Sequence, residues 1–430
     1  MNEVVIYTRQ TDEGARMPVN GNNPLPTYTP NIASSTNSAV DAFGRGRVSQ
    51  PTTIFDSQPQ YDKQPLLWEE RIGDAGTATH LPNESSIELA VTNAAASSVI
   101  RQTKEYFRYQ PGKSQLILCT FVMGDPAADV LKLVGYGDDE NGIFMGQDGA
   151  GTFMLLRSNV TGAVDDSRKF YQADWNVDPM DGTGPSGYTL DTTKAQILVI
   201  DLEWLGVGRV RVGLNIDGTT FYVHEFLNAN TITSTYTTTA NLPIRYQLSN
   251  TAPTAGATTM KQICCQVASE GGVDEAAAFP FASTPRLSLS VPSATPLPLV
   301  AIRPALTFKG ITNRTQIVLE ALQYLVTAGE AVIEVRYNPT LTGGAWAAVD
   351  GESAVEQNIT ATAVSGGIVT ARFLSGAANN SFTAGSQGLS KRLPFTLDID
   401  GANPDLFVLC AYEITGSPVV SGEMSWREIR

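Results

Sequence analysis

Residues 196–226, QILVIDLEWLGVGRVRVGLNIDGTTFYVHEF, admit one kind of local structure, because apolar side chains recur at every second position and nowhere at helical spacing. Ile197, Val199 and Asp201 alternate with Leu198, Ile200 and Leu202, a strand apolar on both faces. Gly206 and Gly208, which allow positive φ, predict a reversal after Trp204. Val210, Val212 and Leu214 then alternate with Arg209, Arg211 and Gly213, and Asp217-Gly218 predicts a type I′ hairpin into Thr220. A meander of this kind keeps one face dry against a second sheet and one face wet. The expected fold class is therefore all-β.

The same pattern recurs along the chain. Strands are expected at 86–91, 99–109, 114–123, 130–136, 142–147, 151–158, 195–203, 209–216, 219–226, 242–249 and 260–267, separated by Gly, Asp and Asn turns. No amphipathic helices alternate with them, which points to a sandwich or jelly roll rather than a parallel sheet. Residues 99–109, with Arg101, Lys104 and Arg108, also fit a short helix. Residues 1–66 read as an extended N-terminal arm and strap, since their Asn, Thr, Ser and Pro content buries too little surface to offset chain entropy. Phe43, Phe55, Tyr61 and Trp68 are its aromatic anchors, on its own domain or on a neighbour. The jelly-roll β-sandwich is expected over 67–285, a Ser/Pro/Thr-rich linker over 286–298, and a smaller C-terminal β-sandwich over 299–430.

Composition narrows the partners. Asp and Glu outnumber Lys and Arg by 43 to 29, a net charge of −14, which argues against nucleic acid because phosphate binding needs clustered cations. No window approaches the roughly 18 apolar residues of a membrane span, so no membrane partner is expected. The opening MNEVVIYTRQTDEG has no leader pattern, and synthesis and retention in a cytosol-like solution is expected. Cys119, Cys264, Cys265 and Cys410 lack CxxC spacing and read as buried free thiols.

Reactive groups are scarce. The chain has two histidines, His80 in a loop and His224 inside the strand YVHEF, and HExxH, GxSxG and Walker A patterns are absent from the sequence. No catalytic residue is assigned, and an enzyme is not expected. Acidic residues crowd two loops: Asp138-Asp139-Glu140-Asn141-Gly142, and Asp174, Asp178 and Asp181 in ADWNVDPMDGTG. Such residues are turn formers in their own right, but hard cations also take oxygen ligands from loops of this kind. Asp138, Asp139, Asp178 and Asp181 are accordingly the calcium candidates; no other cofactor is expected. Trp175 and Tyr188 beside these acids are the candidate glycan-stacking faces, with a sandwich-edge plug the alternative for Trp175.

The strap AFGRGRVSQPTTIFDSQPQYDKQPLLWEE, the hairpins VGYGDDENGIFMGQDG and IDLEWLGVGRVRVGLNIDG, the run LPIRYQLSN and the stretch VAIRPALTFKGITNRTQIVLEAL together resemble a family of virion structural proteins of tailed bacteriophages, from about residue 41 onward. That resemblance implies a concanavalin-A-like jelly roll and assembly onto a particle, beside capsid, portal or tail subunits, as a homo-oligomer with a trimer favoured. Virion localisation, after assembly in the bacterial cytoplasm, is implied with it. Phe43, Arg45, Arg47, Phe55, Tyr61 and Trp68 are the residues expected to strap one subunit to the next. The alternative is an appendage that recognises host-surface glycan.

Overall fold

The computed structural model describes residues 7–10, 16–18, 41, 45, 51–273, 278–292, 295–376, 380–385 and 393–430; Phe43 and Arg47 of the expected strap lie outside them. The protein is all-β. Among the described residues the single helical turn is the 3-10 turn Gln172–Asp174, and no helix is long and apolar enough to cross a membrane.

A jelly-roll-like sandwich is built from two antiparallel sheets. One has seven strands in the order Asp165–Tyr171, Gly151–Ser158, Gly142–Asp148, Val130–Gly137, Ile244–Asn250, Ser98–Thr103, Trp68–Gly73. The other runs Thr219–Phe226, Val210–Ile216, Gln196–Leu202, Ser114–Val122, Thr258–Glu270, Ser86–Val91, Thr77–Leu81, with Thr52–Ser57 beside Thr258–Glu270. The meander pairs as its alternation requires: Leu198 lies opposite Leu214 on one side and Cys119 on the other, all three buried. Asp217 and Gly218 are both left-handed (φ 51° and 81°), as a type I′ turn demands. The reversal after Trp204 differs in detail, since Leu205 and Gly206 take the positive φ, whereas Gly208 is required because a Cβ there would collide with the Glu203 carbonyl.

The strap belongs to its own domain. Strand Thr52–Ser57 pairs with Thr258–Glu270, Phe55 packs on Trp68 and Phe107, and Trp68 donates its indole N–H to Ser57 Oγ at 2.9 Å. Phe55 and Trp68 are therefore core residues, whereas Tyr61 is 87% exposed. Arg45 donates to Asp41 and to the Gly112 carbonyl, again within the chain.

On the outer face of the seven-stranded sheet, glycines let aromatic rings lie flat. Any Cβ at Gly137 or Gly142 would strike the Phe144 ring, and one at Gly146 the Phe153 ring. Arg157 and Lys169 roof these rings at 5.7 and 4.0 Å from their centroids. The hairpin that ends in residues 138–141 is thereby stiffened on both faces.

The second sandwich is one ribbon folded on itself. Strands Gln316–Tyr337 and Phe407–Ile429, 22 and 23 residues long, pair along nearly their whole length. Register shifts between Val326 and Ala331, with left-handed Gly329 and Gly416, bend the ribbon until Gly422 faces Leu409 and Leu299 across the core. A Cβ at Gly422 would lie 2.9 Å from Leu409 Cδ2, so the glycine lets the two halves close without displacing that side chain. Strands Ala278–Ala282 and Arg286–Ser290, expected in the jelly roll and the linker, both pair with Phe407–Ile429.

The face of the meander expected to be wet is dry at one end. Asp201 and Arg211 have no exposed side-chain surface; Ser114 Oγ and Tyr222 Oη donate to the Asp201 carboxylate, which is paired with Arg211. Removing one partner of a buried pair leaves an uncompensated charge. Arg211→Met is therefore expected to cost about 3–5 kcal/mol, read as a lower urea midpoint at unchanged m value; a loss below about 1 kcal/mol would contradict the pairing.

Candidate functional site

A cleft of about 740 Å³ opens where the two sandwiches meet. Its first wall is the hairpin turn 138–141. Asp138 Oδ1 accepts the backbone N–H of Glu140 and Asn141, both at 2.9 Å, which closes the turn. Buried Asn141 moors it by donating from Nδ2 to Thr238 Oγ1 at 2.7 Å and accepting the Thr238 N–H at 3.0 Å. Asp139 sits between two guanidiniums: Arg71 grips it with both terminal nitrogens, and fully buried Arg245, itself held by Gln102 Oε1, reaches it from below. Although burial raises it, these arginines together hold the Asp139 carboxyl well below the usual carboxylate range.

The second wall comes from the folded ribbon's domain. Lys309 and Gly310, left-handed at φ 51° and 85°, turn a short hairpin that pairs Phe308 with Ile311. The Arg430 guanidinium lies 4.5 Å from the Phe308 ring centroid and pairs with Glu428, and Lys309 pairs with Glu352 at 2.7 Å. Arg314 crosses the junction, stacking 4.3 Å over Tyr106 while donating to the carbonyls of Leu397, Asp398 and Ile399.

Polar contacts join the walls. Arg71 also donates to Asp400 Oδ1 at 2.9 Å, so one guanidinium bridges the sandwiches. The Ile399 N–H donates to Glu69 Oε2 at 2.6 Å, Lys104 reaches Asp405 at 3.4 Å, and Gln316 Nε2 donates to Glu105 Oε1 at 2.8 Å. Burial raises the Glu69 carboxyl, with Lys104 opposing.

The structure places the sequence candidates differently. Asp138 and Asp139 line the cleft, but Asp178 and Asp181 lie on another loop. Asp178 Oδ1 and Oδ2 accept the N–H groups of Met180 and Ser186, and Asp181 Oδ1 accepts the N–H and hydroxyl of Thr183. Among the described residues no group of three or more His, Cys, Asp or Glu is placed to hold a metal; Asp138, Asp178 and Asp181 close turns and Asp139 pairs with arginines. Trp175 cannot stack on a sugar: it is 5% exposed, sits in the core and donates its indole N–H to the Phe170 carbonyl. Tyr188, 39% exposed, keeps surface area beside Phe221. His224 is wedged between Phe170 and Phe226 and accepts the Asn176 N–H; burial, with Arg168 adding, pushes it down to about 4. His80 donates from Nε2 to the Pro59 carbonyl. Tyr106, Phe308, Arg314 and Arg430 were not among the candidates, because each acquires its role only from a partner distant in sequence.

No family model matches the chain, and no curated protein matches it. Solved structures match about half of it. They include the carbohydrate recognition domain of Emp47p, at 12% identity, TM-score 0.31, 51% of this chain and 97% of that one. A glycoside hydrolase family 16 endo-glucanase from Bacteroides ovatus matches at 11% identity, TM-score 0.34, 50% and 99%. A legume lectin-like domain from Entamoeba histolytica matches at 8% identity, TM-score 0.31, 51% and 98%.

The Asp139 cluster carries a signed expectation. A carboxyl held below its ordinary 3.8 adds stability that is present above pH 3.8 and is lost as pH falls further. Thermal unfolding of Asp139→Asn is expected at lower temperature than wild type at pH 7, with the gap closing only below pH 3.8; a gap unchanged down to pH 2 would refute the ion pairing.

Proposed function

We propose that the protein is a non-catalytic carbohydrate-binding β protein whose saccharide lies in the cleft between the two sandwiches. The observation that carries this reading is the balance of charge on the walls. Arg71, Arg314, Lys309 and Arg430 are each matched by a carboxylate or by backbone carbonyls, so an anionic ligand would meet little uncompensated positive charge. What stays open is hydroxyl-binding capacity. The Glu140 carboxylate and Asp138 Oδ2 accept no hydrogen bond among the described residues, and Thr239, Thr312 and Asn241 lie beside them. Phe308 and Ile311 add the apolar surface on which a pyranose C–H face packs.

Catalysis is disfavoured by where the carboxyls raised by burial sit. Hydrolysis of a glycoside needs an acid whose pKa is raised toward neutrality. Burial raises Glu69, Glu105, Glu203 and Glu225, and none of the four lines the cleft. The assembly role implied by the sequence loses two of its anchors, because Phe55 and Trp68 are enclosed in their own core.

A glycan array probed with the full chain is expected to give signal without release of reducing ends. Binding of the best array glycan, followed by calorimetry, should weaken about tenfold or more in Asp138→Asn/Glu140→Gln, since hydrogen bonds to a charged acceptor contribute about 1.5–3 kcal/mol. Phe308→Ala should weaken it as well. A silent array, or affinity indifferent to both variants, would sink the reading.

A further inference from the structure

The seam below the cleft holds a carboxyl that no cation answers. Glu105 follows strand Ser98–Thr103 and meets Gln316, the first residue of the long strand of the second sandwich, whose amide donates to it at 2.8 Å. An amide is a neutral donor and cannot offset a charge. The cations nearby are engaged elsewhere: Lys104 lies 3.6 Å from Glu69 and 3.4 Å from Asp405, and Arg314 donates to three carbonyls over the Tyr106 ring. Tyr136, from the strand Val130–Gly137, is a neutral phenol raised by burial and adds no cation on the jelly-roll side. From the second sandwich, Asp405 and Asp398 add negative charge around Glu69, with Lys104 opposing them.

We propose that this seam is an acid-stabilised joint that regulates the cleft: with Glu105 protonated the two sandwiches dock, and its ionisation loosens them. The consequence for ligand binding rests on the carbohydrate reading; the joint itself does not. Burial pushes the Glu105 carboxyl up to about 7, with Gln316 pulling weakly the other way. Because the closed-state value lies above the ordinary 4.5, the stabilisation is complete below pH 4.5 and is lost as pH rises through about 7. The closed seam therefore holds this proton more tightly than the open one. Glu69 is raised as well, burial outweighing Lys104, and acts in the same sense.

Hydrogen exchange of the full chain without saccharide, followed by mass spectrometry from pH 4.5 to 8, tests the joint. Protection factors of the seam segments around Glu105, Gln316 and Ile399 should fall as pH rises from 4.5 and level off near 7, with the midpoint between the two. Glu105→Gln, which keeps the shape and cannot ionise, should remove that midpoint; identical profiles for the two proteins would overturn the proposal. Should that variant not fold, Gln316→Leu removes the hydrogen bond that lowers the Glu105 carboxyl and should move the midpoint to higher pH, and an unmoved midpoint overturns the proposal equally. With an array-selected glycan added, affinity that follows the same midpoint in wild type but not in Glu105→Gln supports control of the cleft, and affinity indifferent to pH in both overturns that control. A chain that binds no saccharide yet shows the exchange midpoint keeps the joint and refutes the cleft reading alone.

Discussion

Asp139, gripped by Arg71 and Arg245, is the contact on which the rest of this structure depends. Arg245 is fully buried and would be an isolated charge without it. Arg71 uses the same guanidinium to reach Asp400 across the junction. A single carboxylate therefore neutralises a buried cation, shapes the turn that forms one wall of the cleft, and helps fasten the second sandwich to the first. Its partners lie on the strands Trp68–Gly73 and Ile244–Asn250, so the wall is fixed to the sheet rather than to the loop.

The two sandwiches solve the same packing problem by different means. The first assembles many short strands into paired sheets, with a core running from Phe55 and Trp68 to Leu198 and Val223. The second bends a single long ribbon, and its core sets Leu409 and Trp426 of one strand in the same cluster as Val335 and Leu322 of its partner. Bending costs regular pairing, which is why the register slips between Val326 and Ala331 and why glycines stand at 329 and 416. The seam between the units is polar by contrast, made of ion pairs, amide contacts and carbonyl acceptors. Such a junction is sensitive to protonation in a way an apolar one is not.

Much of the fold was legible. The alternation in 196–226 specifies its strands and the Asp217-Gly218 turn because both depend only on neighbours in sequence. Residues 99–109, ambiguous between strand and helix, resolve as the strand Ser98–Thr103 once flanked by Ile244–Asn250 and Trp68–Gly73. Within the strap, the strand Thr52–Ser57 joins a sheet of its own domain, a pairing with Thr258–Glu270 that leaves no local mark in 52–57. Trp175 shows the limit for sites: an aromatic beside acids reads as a stacking face until burial is known, and here the core covers it.

The order of apolar and polar residues alone determined that this chain forms sheets and where several hairpins turn, because these follow from backbone sterics. Tertiary structure decided which acids are free and which are locked. Asp138, Asp139 and Glu140 are neighbours in sequence, yet one closes a turn, one is clamped by two arginines and one is left open to solvent. That division depends on Arg71, Arg245 and Asp400 arriving from strands and loops far along the chain, and Coulomb energies over a few ångströms depend on where groups meet rather than on where they are written.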